Sequence, residues 1–135
     1  MNRIVPRGMF LHEGDEKFFV KGFSYGPFAP NANGEPLPDP RGVERDFAIM
    51  AELGANTVRV YHVPPLWFAE IAARFDLRLM VGVPWQQHVR FLEDASTPRA
   101  IRERMADAAH RLGGGKAPML SLLIGNEIPP QVVRW

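Results

Sequence analysis

A few side chains in this sequence have the types and the spacing to do chemistry at one place: Tyr25, Arg59, Tyr61, His62, Trp85, Asn126 and Glu127. A carboxyl can give or take a proton. A guanidinium can grip a carboxylate through paired N–H groups. A carboxamide and an imidazole orient polar partners, and Trp and Tyr rings offer an apolar face with a polar tip. Each of these residues lies at, or just beyond, the end of a short apolar run. Ser24 and Tyr25 follow one run, and Arg59, Tyr61 and His62 close a second. Trp85, Gln86, Gln87 and His88 follow a third, and Asn126 and Glu127 a fourth. The opposite ends of the same runs carry little beyond turn residues.

The elements that must position these groups alternate between strand and helix. Residues 9–11 and 18–20 flank Glu13-Gly14-Asp15-Glu16, which reads as a hairpin, and residues 19–23 continue as a first strand. Residues 25–40 form a long loop rich in Pro, of a length that usually marks function or mobility. Asp39-Pro40 supplies a helix cap and a first-turn proline. Val43, Phe47, Met50 and Ala51 follow at helical spacing, and Gly54 stops the helix. Residues 57–61 are a β-branched strand. Pro64-Pro65 opens a second helix with Phe68, Ile71, Ala72 and Phe75 on one face. Residues 77–83 form a nearly all-apolar strand. Thr97-Pro98 begins a third helix carrying Ile101, Met105, Ala108 and Leu112, which Gly113-Gly114-Gly115 ends. Residues 119–124 form a fourth strand, and Pro129-Pro130 opens a further short helix.

This order predicts an α/β fold with a parallel sheet and right-handed crossovers. An open doubly wound sheet and part of a (βα)₈ barrel both fit it. A dinucleotide fold does not, because the first strand leads into a Pro/Asn loop with no G-x-G-x-x-G. In either parallel architecture ligands bind at the C-terminal strand ends, where the polar groups gather.

The run Gly-Ala-Asn-Thr-Val-Arg-Val-Tyr, ending at Tyr61, followed by Leu-Leu-Ile-Gly-Asn-Glu-Ile-Pro, ending at Pro129, resembles glycoside hydrolase clan A. That is the superfamily of retaining (β/α)₈-barrel glycosidases. Residues 18–135 are also similar to bacterial glycosidase-like domains that can be joined to a glycosyltransferase. The resemblance implies about the first four β/α units of a TIM barrel, preceded by a short β-hairpin, with residues 1–135 forming one partial domain. It implies that Glu127 is the general acid/base, that Asn126 contacts the sugar 2-hydroxyl, and that Arg59 holds the nucleophilic carboxylate. A leaving glycosidic oxygen must be protonated as its bond breaks, and a carboxyl does this near neutral pH only with a raised pKa. Trp85, Tyr25 and Tyr61 would stack on sugar faces, and His62 would hydrogen-bond substrate.

Plainer readings stand beside these. Glu127 would serve as a loop carboxylate or helix cap, Arg59 as a salt-bridge partner and Asn126 as a turn former. Trp85 and Tyr61 would pack the barrel rim, and His62 would be structural.

The superfamily's nucleophile is a Glu ending the seventh strand. A complete barrel takes about 250 residues, and this chain has 135, so the sequence predicts an N-terminal half whose nucleophile is missing from it. The expected function is hydrolysis or transglycosylation of a β-glucan-type polysaccharide by a retaining two-carboxylate mechanism. The alternative is a non-catalytic carbohydrate-binding or assembly module associated with a glycosyltransferase. The expected partner is an oligo- or polysaccharide, with self-association through open sheet edges or with a missing C-terminal half.

Composition excludes other classes. The 16 Lys and Arg against 15 Asp and Glu leave a net charge of +1, which gives no electrostatic ground for nucleic acid. With no Cys there is no disulfide, thiolate nucleophile or Cys-based metal site. The four His lack H-x-H or H-E-x-x-H spacing, so no metal is expected, nor any cofactor. Ser24 has no G-x-S-x-G elbow. No apolar run approaches the roughly 20 residues that span a bilayer, so membrane insertion is not expected. The first residues lack the apolar core of a signal peptide, which favours a cytoplasmic location.

Overall fold

The computed structural model describes residues 2–85, 96–113 and 117–130. Two sheets form. The first is antiparallel and holds β1 (Ile4–Arg7), β2 (Phe10–Glu13) and β3 (Glu16–Lys17) in that order. The second is parallel, in the order β4 (Gly22–Ser24), β5 (Thr57–Val60), β6 (Arg78–Gly82) and β7 (Met119–Leu123). Helices α1 (Pro40–Glu52), α2 (Leu66–Arg74) and α3 (Ser96–Arg111) make the crossovers.

The hairpin expected around Gly14 is present, and β1 adds a strand that the sequence reading did not contain. Pairing of Arg7 with Phe10 and of Glu13 with Glu16 leaves two-residue loops, each opening on a glycine, Gly8 at φ 60° and Gly14 at φ 61°. A positive φ at the first loop position matches the twist of a tight hairpin, and glycine adopts it without steric cost. Asp39 caps α1, its carboxylate accepting the Gly42 N–H at 2.7 Å, with Pro40 in the first turn as expected. Gly54 follows α1 at φ 78°.

The outward face of the parallel sheet is the core. Val58, Val60, Leu79 and Val81 are fully buried, beneath Val43 and Phe47 of α1 and Phe68 and Ala72 of α2. Phe47 and Phe68 meet edge to face with ring centroids 5.1 Å apart. Parallel register puts Ser24, Arg59, Met80 and Ser121 in one row on the opposite face. That row is less covered: Arg59, Met80 and Ser121 are half-buried and Ser24 is exposed. The sheet therefore has two unlike faces, one packed on helices and one left half-open, as the wall of the expected barrel would.

The antiparallel sheet bears on the N-terminal end of this wall. Arg78, which begins β6, is 5% exposed, pairs with Glu13 of β2, and lies with its guanidinium 5.5 Å from the centre of the Phe18 ring. Asn56 fastens the entry to β4. Its side-chain oxygen accepts the Lys21 N–H at 2.9 Å and its amide nitrogen donates to the Phe19 carbonyl at 2.8 Å.

Candidate active site

The C-terminal ends of β5, β6 and β7 enclose a cleft of about 180 Å³, lined among others by Arg59, Tyr61, Gly82, Pro84, Leu123 and Asn126. A second hollow of about 250 Å³ is lined by Ser24, Thr57 and Met80 of the inner face. Arg59 lines both.

Arg59 and Asn126 meet although 67 residues separate them. Arg59 Nη2 donates to Asn126 Oδ1. The Arg59 guanidinium also stacks over the Tyr61 ring at 4.8 Å from its centre. Arg59 Nε is buried without a partner among the described residues, as is Ser121 Oγ two strands away. A buried donor on a cation is costly to leave unmet, so Arg59 presents a hydrogen-bonding direction suited to an anion.

Glu127 follows Asn126 directly. It is exposed and makes no hydrogen bond or ion pair with the described residues. Its backbone has φ 53°, the left-handed region, which a non-glycine residue seldom occupies. Such outliers cluster at functional sites because the surrounding structure must hold them there. Trp85, which leaves β6, is half-buried, and its Nε1 donates to the carbonyl oxygen of Ile124. Trp85 is thus tied to the chain three residues ahead of Glu127.

Tyr25 departs from its expected role. Only 4% of it is exposed, its ring lies 4.7 Å from Phe28 and 5.5 Å from Phe47, and its hydroxyl donates to Asp46 Oδ2 at 2.6 Å. Burial, with help from the Asp46 carboxylate, pushes its hydroxyl far above the usual phenol range. A ring packed on this many core groups has no face left for a sugar, so Tyr25 is core and not platform. His62 is half-buried, with Nε2 lacking a partner among the described residues. Desolvation holds its pKa below the usual value, partly opposed by the charge of Glu35. Glu35 is fixed in the long loop by Asn31, whose Nδ2 donates to Glu35 Oε2 at 2.9 Å and whose Oδ1 accepts the Glu35 and Asn33 N–H groups. Sequence reasoning missed Glu35 and Asp46. Neither belongs to a strand end, and only their spatial partners mark them.

Gln86, Gln87 and His88 lie outside the described residues, as do Gly114, Gly115 and residues 131–135, on which the short helix expected after Pro129-Pro130 falls. Among the described residues no three His, Asp or Glu side chains gather as metal ligands.

Residues 2–67 match the family model described as Glucanosyltransferase. The match contains Arg59 and Tyr61 and ends before Asn126 and Glu127. The 1,3-beta-glucanosyltransferase gel1 of Aspergillus fumigatus is 40% identical over 60 residues, which are 44% of this chain and 13% of that protein. The 1,3-beta-glucanosyltransferase GAS5 of Saccharomyces cerevisiae is 39% identical over 60 residues, 44% of this chain and 12% of that protein. The chain thus spans about an eighth of the length of the curated relatives it matches. A solved β-glucuronidase from Ruminococcus gnavus, in complex with a C6-substituted uronic isofagomine, superposes with a TM-score of 0.65. It is 21% identical, and the overlap covers 93% of this chain and 21% of that one. That likeness establishes the fold: four parallel strands joined by three helices in the TIM-barrel manner, preceded by an antiparallel sheet. The resemblance to retaining barrel glycosidases of clan A holds, and the relatives are fungal glucanosyltransferases.

The cytoplasmic location favoured from the N-terminal residues does not hold against these relatives, which are fungal 1,3-beta-glucanosyltransferases. The lack of an apolar core in the first residues describes only those residues and carries no address. No described helix is long and apolar enough to cross a membrane.

Proposed function

We propose that this chain forms one wall of a retaining transglycosylase or hydrolase acting on β-1,3-glucan. In this reading residues 1–135 are a single partial barrel domain. Glu127 is the acid/base, Asn126 orients the sugar 2-hydroxyl, and Arg59 supports a nucleophilic carboxylate that this chain does not supply. Tyr61, Trp85 and His62 border the sugar. The observation that carries the reading is the Arg59–Asn126 hydrogen bond, which brings the second and fourth strand ends of the barrel wall to one cleft that Asn126 lines, one residue before Glu127. The buried, unpartnered Arg59 Nε adds support, because a carboxylate arriving from outside would satisfy it.

The steps balance. The Glu127 carboxyl protonates the glycosidic oxygen as the nucleophilic carboxylate attacks the anomeric carbon, giving a glycosyl-enzyme and a free sugar hydroxyl. The Glu127 carboxylate then takes the proton of an incoming hydroxyl, whose oxygen displaces the nucleophile. A sugar acceptor gives transfer, and water gives hydrolysis. The same wall has two strand edges, β4 and β7, and self-association through them is part of the proposal.

The test is Glu127→Gln in the full-length protein, assayed for chain transfer on β-1,3-linked oligosaccharides. A fall in turnover of about 10²–10⁴-fold is expected. Wild-type turnover would refute the assignment. A variant that is inactive yet binds oligosaccharide unchanged is the outcome this mechanism requires. The non-catalytic binding reading draws on one observation: Glu127 is exposed and faces no partner among the described residues. Under it, Glu127→Gln would leave the protein's whole measurable behaviour, binding included, unaltered.

A further inference from the structure

We propose that Trp85 is a positioning residue for Glu127, acting through its indole N–H to fix the turn that presents the carboxyl. The inference rests on the reading of Glu127 as acid/base and deepens it.

The turn needs fixing. Beyond Leu123 the chain leaves the β-ladder, whose last bond runs from the Val83 N–H to the Leu123 carbonyl at 3.0 Å. Four residues later Glu127 sits at φ 53°, a conformation its own side chain disfavours. Two side chains from neighbouring strands grip the intervening segment. Arg59, from β5, donates to the side chain of Asn126. Trp85, from the exit of β6, donates to the backbone of Ile124. The segment itself folds back tightly, since a Cβ on Gly125 would lie 2.3 Å from Ile128 Cδ1. Trp85 has its own support: the carbonyl of Pro84 accepts from Arg104 Nη1 of α3 at 2.9 Å. A line of direct contacts therefore runs from α3 through Pro84 and Trp85 to the turn bearing Glu127.

The indole N–H separates this role from sugar stacking. Stacking uses the ring face and is indifferent to a nitrogen, whereas the tie to Ile124 uses only Nε1, a donor with no acceptor function. Trp85→Phe keeps an aromatic face and removes the donor. In the full-length protein, acting on a β-1,3-linked oligosaccharide, Trp85→Phe is expected to lower kcat roughly 10–100-fold while KM stays within about twofold. Amide hydrogens of residues 125–128 should exchange faster in the variant. Trp85→His, which retains a ring N–H, should recover part of kcat. If Trp85→Phe does not fold, benzothienylalanine at position 85 keeps the shape, replaces N–H by sulfur, and should give the same kcat loss.

Wild-type kcat and unchanged exchange at residues 125–128, in a protein that Glu127→Gln inactivates, would overturn the positioning role and leave the acid/base reading standing. A rise in KM with kcat intact would also overturn it, in favour of stacking. Full activity of Glu127→Gln would sink the acid/base reading and the positioning role with it.

Discussion

His62 and Tyr25 occupy the same rim, and burial acts on them in opposite senses because one is charged when protonated and the other when deprotonated. His62 has a folded pKa below its ordinary value of 6.5, caused first by desolvation and partly offset by Glu35. As pH falls through 6.5 the unfolded chain takes up a proton that the folded chain resists, so stability drops from there down to the folded pKa. Urea midpoints measured from pH 7.5 to 5 should therefore decline, and His62→Gln should flatten that part of the curve. An identical slope in the variant would show that another group is responsible. Tyr25 keeps its proton when folded, and its hydroxyl donates to the half-buried Asp46 carboxylate at 2.6 Å. Tyr25→Phe leaves the Asp46 carboxylate without that donor and should cost about 1–3 kcal/mol in chemical denaturation. A neutral substitution would mean that water replaces the hydroxyl. These two residues also mark the limit of reading a site from strand ends. Position along a strand told which residues share the rim, and Arg59 and Asn126 do meet there. It did not tell which way an amphipathic side chain turns, and Tyr25 turned toward Phe28, Phe47 and Phe68.

Strand pairing at the entrance to the barrel wall depends on one missing side chain and one ion pair. Gly22 faces Thr57 so closely that a Cβ would lie 1.9 Å from the Thr57 carbonyl oxygen, a backbone atom that cannot swing aside. Gly22→Ala should therefore separate β4 from β5 and cost at least about 3 kcal/mol, beyond ordinary overpacking. Below it, Arg78 is buried and Glu13 is its carboxylate partner, with side-chain exposures of 6% and 32%. Glu13→Gln strands the guanidinium and should destabilise by about 3 kcal/mol, the lower end for a broken buried pair because Glu13 is partly wet. A double change, Glu13→Leu with Arg78→Met, should recover most of that loss if the cost is the unpaired charge. Thermal unfolding of the three variants decides it. The helices and the parallel strands were legible because local chemistry specifies them: Asp39-Pro40 starts α1, Gly54 ends it, a β-branched run marks β5 and a mostly apolar run marks β6. The plug was not. β1 carries Pro6 and Arg7 and has no clean alternation, and the Glu13–Arg78 contact joins residues 65 apart, a separation that no periodicity encodes.

At the scale of the molecule, the two faces of the parallel sheet set the behaviour of the chain as a body. Helices bury the outward residues of β5 and β6, while the inward row is half-open and the sheet ends at β4 and β7. Beside the β4 edge Phe19, Val20 and Phe23 are 62%, 47% and 43% exposed, and beyond β7 Ile124 is 56% exposed. An edge strand offers unpaired N–H and C=O groups, and apolar side chains beside it remove the water that would otherwise satisfy them. Two such edges on one small body favour association, because each copy can meet another through backbone pairing and apolar contact together. The 135 residues alone, at 15.2 kDa, should therefore scatter light as a species larger than one chain, increasingly so with concentration. Phe23→Lys places a charge on the β4 edge, where an added strand would have to desolvate it, and should shift the distribution toward single chains. Its side chain shares the register position of Val58 and is already 43% exposed, so the fold loses little by the exchange. If the unsubstituted chain scatters as a monomer throughout the concentration range, the inner face and the edges are self-sufficient. The association part of the proposal then fails, while the assignment of Glu127 is untouched.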